Sequence, residues 1–231
     1  MVLFSRNYQN LIVSGEYMGF ISKLREDISN EIFSHRDLRA LYSSASEASV
    51  HNAISRAVKS KNLIKLRRGL YLFSKKQRRG SVSKFLIANK IYEPSYISFE
   101  SALSYYGLIP EAVYTTTSAC LQRKTKNFNN ELGNFSYDYI PCQDFYLGIY
   151  HEVEKGGSLI ANPIRSLFDF IYLRKKKYSS IDEAECDLRL EMSNLEIEVM
   201  KYSIDEIESL AIQYKKRNVM QFSQVLIKAF K

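Results

Sequence analysis

Residues 63–73, LIKLRRGLYLF, constrain the fold more than any other stretch of the chain. Up to Val58 the apolar residues recur at helical spacing, and after Asn62 they alternate. Ile64 and Leu66 fall on one face of a strand, with Lys65 and Arg67 on the other. Arg68-Gly69 reverses the chain, and Leu70 to Phe73 returns as a second strand. A basic two-stranded hairpin is expected.

Three helices are expected before it. Phe20, Ile21, Leu24 and Ile28 predict an amphipathic helix over residues 16–29. A second, short helix opens at Ser34, whose hydroxyl can cap the free amides, with Asp37 suited to the positive first turn and Leu38, Leu41 and Tyr42 as the buried stripe. The SSAS turn leads to a third helix with Ser44 and Glu47 in capping-box spacing and Val50, Ile54, Ala57 and Val58 on its inner face. Asn62 ends it, since asparagine tolerates the left-handed conformation of a helix C-terminus.

Helix, helix, turn, helix and basic hairpin is the order of a winged helix-turn-helix, in which the third helix enters the major groove and the hairpin lies along phosphates or the minor groove. Removing the inner positions of the third helix leaves Ser49, Asn52, Ser55, Arg56 and Lys59 facing outward, a set suited to base edges and phosphates. Lys65, Arg67 and Arg68 extend that set onto the hairpin. Residues 74–83, SKKQRRGSVS, read as the linker out of a domain spanning residues 1–80, and Lys75, Lys76, Arg78 and Arg79 are expected at phosphates or in solvent.

Charge supports a polyanion partner. The net charge is +8, and residues 44–80 hold ten Lys or Arg against the single acid Glu47. Residues 1–43 are balanced, and residues 81–231 carry eighteen cations against nineteen acids. A localised excess of this kind is the footprint of nucleic-acid binding, whereas a scattered one serves solubility. The competing reading is an edge strand whose cations prevent aggregation, or a hairpin that contacts protein.

Residues 81–231 read as a mixed α/β domain, so the expected fold class is α+β. Helices are expected at 84–92 and at SFESALSYYGLIP, where Ser98 caps, Gly107 ends the helix and Pro110 forbids continuation. Strands are expected at 112–119, 134–140, 145–151 and 158–161, with a loop at 122–133. Asn162 and Pro163 open a helix whose stripe is Ile164, Leu167, Phe168, Ile171 and Tyr172. RKKK at 174–177 suits that helix's negative end. The tail is helical, with capping boxes at Ser180/Glu183 and Ser203/Glu206, and the alternation of Leu195, Ile197 and Val199 reads as an edge strand over 194–202.

Several function classes have no motif here. The first seventeen residues lack a long apolar run, and Arg165 and Asp169 interrupt the most apolar later segment, so neither a signal peptide nor a membrane span is expected. Cys120, Cys142 and Cys186 are unpaired in spacing and are expected to be reduced, buried thiols of a cytoplasmic protein. His35, His51 and His151 lack metal-ligand spacing, and His151 with Glu152 and Glu154 does not converge on a strand. No Gly-rich phosphate loop occurs. Neither metal, cofactor nor enzymatic activity is expected.

Three segments together resemble one family, the AbiEi-type antitoxins of bacterial abortive-infection (type IV) toxin-antitoxin systems. They are LIKLRRGLYLF, YISFESALSYYGLIPEAVYTTTSA at 96–119 and SLIANPIRSLFDFIYL at 158–173. The resemblance implies a winged helix that represses the protein's own operon by binding repeats in promoter DNA. It also implies a domain at 81–231 that counters a nucleotidyltransferase-like toxin without needing a stable complex. Glu100, Ser101 and Tyr105 are the antitoxin candidates, and capping and packing of one helix is their other reading. At Asn162-Pro163-Ile164-Arg165 the chain departs from the family's commonest pattern, an acid and a lysine before the apolar helix. The alternative function is a winged-helix module that binds protein or RNA. Dimerisation on DNA is left open.

Overall fold

Leu70, Tyr71, Leu72 and Phe73 are all buried, and they form the central strand of a three-stranded sheet. That arrangement is seen in the computed structural model, which describes residues 17–231 and has an α+β fold. The leader reading of the first residues and Glu16 of the expected first helix lie outside the described residues. The described chain separates into two compact units, one ending at Val82 and the other running Ser83–Lys231.

The first unit contains α1 (Tyr17–Asp27), β1 (Ile32–Ser34), α2 (His35–Leu41), α3 (Glu47–Lys59), β2 (Leu63–Arg67) and β3 (Leu70–Phe73). Its sheet is antiparallel in the order β1-β3-β2. Strand β1 is absent from the sequence expectations because three residues carry no period. Ser34 ends it and also caps α2 through a complete capping box, accepting from the Asp37 amide at 3.2 Å and donating its own amide to Asp37 Oδ2 at 2.7 Å. Phe20, Ile21, Leu24, Leu38, Val50, Ile54 and Ala57 form the core with Phe33, Leu63 and Phe73.

Four expectations for this unit are corrected. Leu41 is 43% exposed, so the α2 stripe is Leu38 and Tyr42. The cap of α3 is Ser46, which accepts from Ser49, and not Ser44. The left-handed residue after α3 is Lys61 (φ 57°), because the Asn62 amide is held by Ala57 O and its side chain by Gln77. Finally, residues 74–79 are not a free linker. Ser74 is buried, and Arg79 donates its amide to Glu31 Oε1 (3.0 Å) and its guanidinium to Arg25 O (2.8 Å).

The second unit contains α4 (Lys84–Ile91), β4 (Ser95–Ile97), α5 (Phe99–Tyr105), β5 (Thr115–Cys120), β6 (Lys126–Asn130), β7 (Gly133–Tyr139), β8 (Ile149–Glu152), a 3-10 turn (Val153–Lys155) and β9 (Ser158–Ala161). Helices α6 (Pro163–Arg174), α7 (Ile181–Leu188), α8 (Met192–Met200), α9 (Ile204–Ile212) and α10 (Arg217–Phe230) follow. The mixed sheet has the order β6-β7-β5-β4-β9-β8, parallel at β7/β5 and β4/β9. Asn89 of α4 clamps β9 by accepting from the Leu159 amide at 2.7 Å, and Tyr137 on β7 donates to Ala88 O at 2.6 Å.

Helix α6 forms as expected, with Asn162 Oδ1 accepting from the Arg165 amide at 2.7 Å and Pro163 in the first turn. Its buried part is wider than a stripe, because every residue from Pro163 to Ile171 is buried. Here too the structure corrects the sequence reading. Strand β6 lies inside the expected loop at 122–133. Residues 194–202 are mostly helix α8, because Leu195 and Val199, four apart, face the core while Ile197 is 59% exposed. Ser98 precedes α5 but makes no cap, since its hydroxyl donates to Asp169 Oδ2 at 2.6 Å. Gly107 ends α5 in the left-handed region (φ 67°), where an added Cβ would also meet Asn194 Nδ2 at 3.2 Å.

Candidate nucleic-acid interface

At 100° per residue, His51, Asn52, Ser55 and Lys59 share one outward stripe of α3, with Arg56 and Ser49 at its flank. His51, Asn52, Arg56 and Lys59 are exposed, and Ser55 is half-buried. Ser49 lies 2.8 Å from Ser46 Oγ, so its hydroxyl is engaged at the helix cap.

Between α3 and the hairpin runs a groove of about 790 Å³ lined by His35, His51, Asn52, Lys65, Arg68 and Tyr71. The Gly69 carbonyl accepts from the His35 amide at 2.8 Å, which ties the hairpin turn to the start of α2. Glu47 is the acid on this groove, with Oε1 4.0 Å from His35 Nε2. Burial raises the Tyr71 phenol, so it stays neutral and can donate a hydrogen bond.

The structure thus brings Asn52, Lys65 and Arg68 together and adds His35 and His51, to which the sequence reading gave no role. His51 was findable from the helical wheel, because it lies on the exposed side of α3, at the edge of the stripe beside Ser55. Arg67 is set apart from Lys65: the register shifts between these two residues, and Arg67 Nη1 donates to Arg68 O at 3.1 Å. Lys75 and Lys76 are exposed beyond β3. Arg78 is half-buried, and Arg79 is engaged with Arg25 and Glu31, so neither lines the groove.

In the second unit Glu100, Ser101 and Tyr105 do not converge. Ser101 stitches α5 to β5, with its Oγ accepting from the Thr117 amide at 2.8 Å and its amide donating to Thr117 Oγ1 at 3.0 Å. Tyr105 donates to Glu152 Oε2 at 2.9 Å, and burial together with Glu152 pushes its phenol up to about 12. Glu100 lines different grooves from Tyr105. No group of three or more His, Cys, Asp or Glu among the described residues is placed to hold a metal. No described helix is long and apolar enough to cross a membrane.

The most polar buried cluster lies where the sequence showed only an interrupted apolar helix. Arg165 and Asp169 are both fully buried and pair at 3.3 Å. Asp169 Oδ1 also accepts from Tyr214 at 2.6 Å, and Oδ2 accepts from Tyr96 at 3.0 Å and Ser98 at 2.6 Å. Arg165 donates to Leu147 O and to Tyr96 Oη, both at 2.9 Å, with its guanidinium 5.5 and 5.2 Å from the centroids of the Tyr96 and Tyr214 rings. Burial raises the Asp169 carboxyl while Arg165 and the three hydroxyls pull it back. Every polar group in this cluster is answered by another within it, so the cluster holds α6 against β4 and the segment after α9 rather than meeting a ligand.

Cys186 is exposed, a correction to the expected burial of all three thiols, while Cys120 and Cys142 are buried. Burial pushes the Cys120 thiol up to about 11 and also raises Cys142. Iodoacetamide at neutral pH is therefore expected to label one thiol in the folded protein and three after denaturation, as counted by intact mass. Labelling of Cys120 in the folded protein would contradict its burial.

No protein-family model matches the chain, and no curated protein matches it.

Proposed function

We propose that the first unit is a winged helix-turn-helix that binds double-stranded DNA in the chain's own promoter, and that the whole protein is a non-enzymatic antitoxin and autorepressor of the type IV kind. One observation carries the DNA reading. Asn52 of α3 and Lys65 and Arg68 of the hairpin line a single groove in the part of the chain that holds all the excess positive charge. Helix α3 would supply base contacts and the hairpin phosphate contacts, the division of labour that gives register and sequence preference separately. The antitoxin part rests on the resemblance of the three segments, two of which lie in the second unit.

Gel shift with DNA from immediately upstream of the coding sequence tests the first part. The expected result is a preference of at least about a thousandfold over scrambled DNA of equal length, and Asn52→Ala should narrow that preference by about 1–3 kcal/mol. Equal affinity for both DNAs would remove the autorepressor reading. Co-expression with the neighbouring reading frame tests the second part, because an antitoxin must restore growth that the partner alone arrests.

A further inference from the structure

The residues that open the second unit border a groove of about 440 Å³, walled by Ser83, Lys84 and Phe85 at the start of α4, Ser104 and Tyr105 at the end of α5, and Thr116 on β5. Lys84 is the one charged side chain that lines it, and no carboxylate does.

The start of α4 is incompletely satisfied. Ser83 accepts from the Leu86 amide at its hydroxyl (3.0 Å) and from the Ile87 amide at its carbonyl (3.1 Å), while the amides of Lys84 and Phe85, the first two of the helix, meet no acceptor among the described residues. Free amides at the positive end of a helix attract an anion. Lys84 adds a full charge at the same end, exposed and with neither a hydrogen bond nor an ion pair among the described residues.

Thr116 is a separate observation. It is 8% exposed and lines the groove, yet its hydroxyl has no partner among the described residues. Thr117 occupies the other face of β5, where its Oγ1 donates to Ser98 O and accepts from the Ser101 amide. Alternation therefore turns Thr116 to the face of Ser118 and of Tyr137 beside it, and Tyr137 reaches α4 at Ala88 O. The neighbouring hydroxyls are all committed as donors, Ser101 to Thr115 O, Ser104 to Glu111 O and Tyr105 to Glu152. A hydroxyl this buried is ordinarily hydrogen-bonded, and the groove is the side from which an acceptor can reach it.

We propose that this groove binds a small phosphate monoester carrying a planar ring, with its phosphate on Lys84, the first amides of α4 and Thr116, and its ring against Phe85 and Tyr105. A tetrahedral oxyanion takes several donors at once, and three kinds of donor meet here with no acid lining the groove. The volume exceeds what a bare phosphate needs and falls in the range of small-molecule sites. Phe85 and Tyr105, edge to face at 5.7 Å between centroids, supply an aromatic wall for the rest of the ligand. The groove lies within the second unit and is independent of the DNA reading.

Isothermal titration of the full chain with adenosine monophosphate, without DNA and at about 0.15 M salt, tests it. One saturable site is expected, with inorganic phosphate competing more weakly and adenosine failing to saturate. Lys84→Gln and Thr116→Val should each weaken the site by about tenfold, the loss of one hydrogen bond to a charged group. Thr116→Ser, which keeps the hydroxyl, should restore it. Lys65→Ala with Arg68→Ala should leave it unchanged, which separates this site from phosphate held in the basic groove of the first unit. Circular dichroism identical to the parent's establishes that the variants are folded, and Lys84→Gln, a surface change, carries the test if Thr116→Val is not. Absence of saturable binding, adenosine binding as tightly as the monophosphate, or a site lost with Lys65 and Arg68 would overturn the proposal. So would unchanged affinity in a folded Thr116→Val or Lys84→Gln variant.

Discussion

Asp169→Leu is expected to destabilise the second unit by about 3–5 kcal/mol, out of the roughly 5–15 kcal/mol typical of a whole domain. The loss is large because the substitution leaves the Arg165 guanidinium buried without its carboxylate and strands the Tyr96, Ser98 and Tyr214 hydroxyls in one stroke. Removing Arg165 as well, as Arg165→Met with Asp169→Leu, takes away the orphan charge and should recover part of the loss. Adding Tyr96→Phe, Ser98→Ala and Tyr214→Phe removes the remaining orphans and should recover most of it. Chemical denaturation followed by far-UV circular dichroism gives the magnitudes, and hydrogen exchange of α6 amides assigns them to this unit. A double variant no more stable than Asp169→Leu would mean that lost packing, and not an unpaired charge, dominates.

The second large effect is on salt dependence. Each phosphate contact releases close to one counterion, so Lys65→Ala with Arg68→Ala is expected to reduce the slope of log affinity against log salt by about two. Arg79→Ala should leave the slope unchanged, because the Arg79 guanidinium donates to Arg25 O and does not line the groove. On the proposed DNA reading, the ten cations in residues 44–80 therefore overstate the number available to phosphates. Fluorescence anisotropy of labelled promoter DNA across a salt series measures both. An Arg79 variant that lowers the slope as much as the hairpin pair would contradict the placement of the proposed DNA surface in this groove.

Features whose partners are close in sequence were legible in it. Ser34 caps α2 as expected, with Asp37 three residues on closing a capping box, and Asn162 and Pro163 start α6 where they should. Ser98 has the same local grammar, yet its hydroxyl goes to a carboxylate 71 residues away, and no local rule can see that competitor. The pair Leu195 and Val199 fits both a period of two and one turn of helix, and only the exposure of Ile197 decides between them. Strand β4 is three residues long, and β6 is largely polar, with Phe128 as its aromatic anchor against Tyr92 and Tyr137. For the candidate interface, the outward residues of α3 followed from periodicity, whereas the diversion of Arg67 and Arg79 depended on a register shift and on a long-range contact with Arg25 and Glu31.

The closed cluster around Asp169 also bears on how such a chain can diverge. Tyr96, Ser98, Arg165, Asp169 and Tyr214 each satisfy another member, so a change at any one alone is penalised until its partners change too. These five positions should be inherited as a block. In a set of relatives they should vary together or not at all.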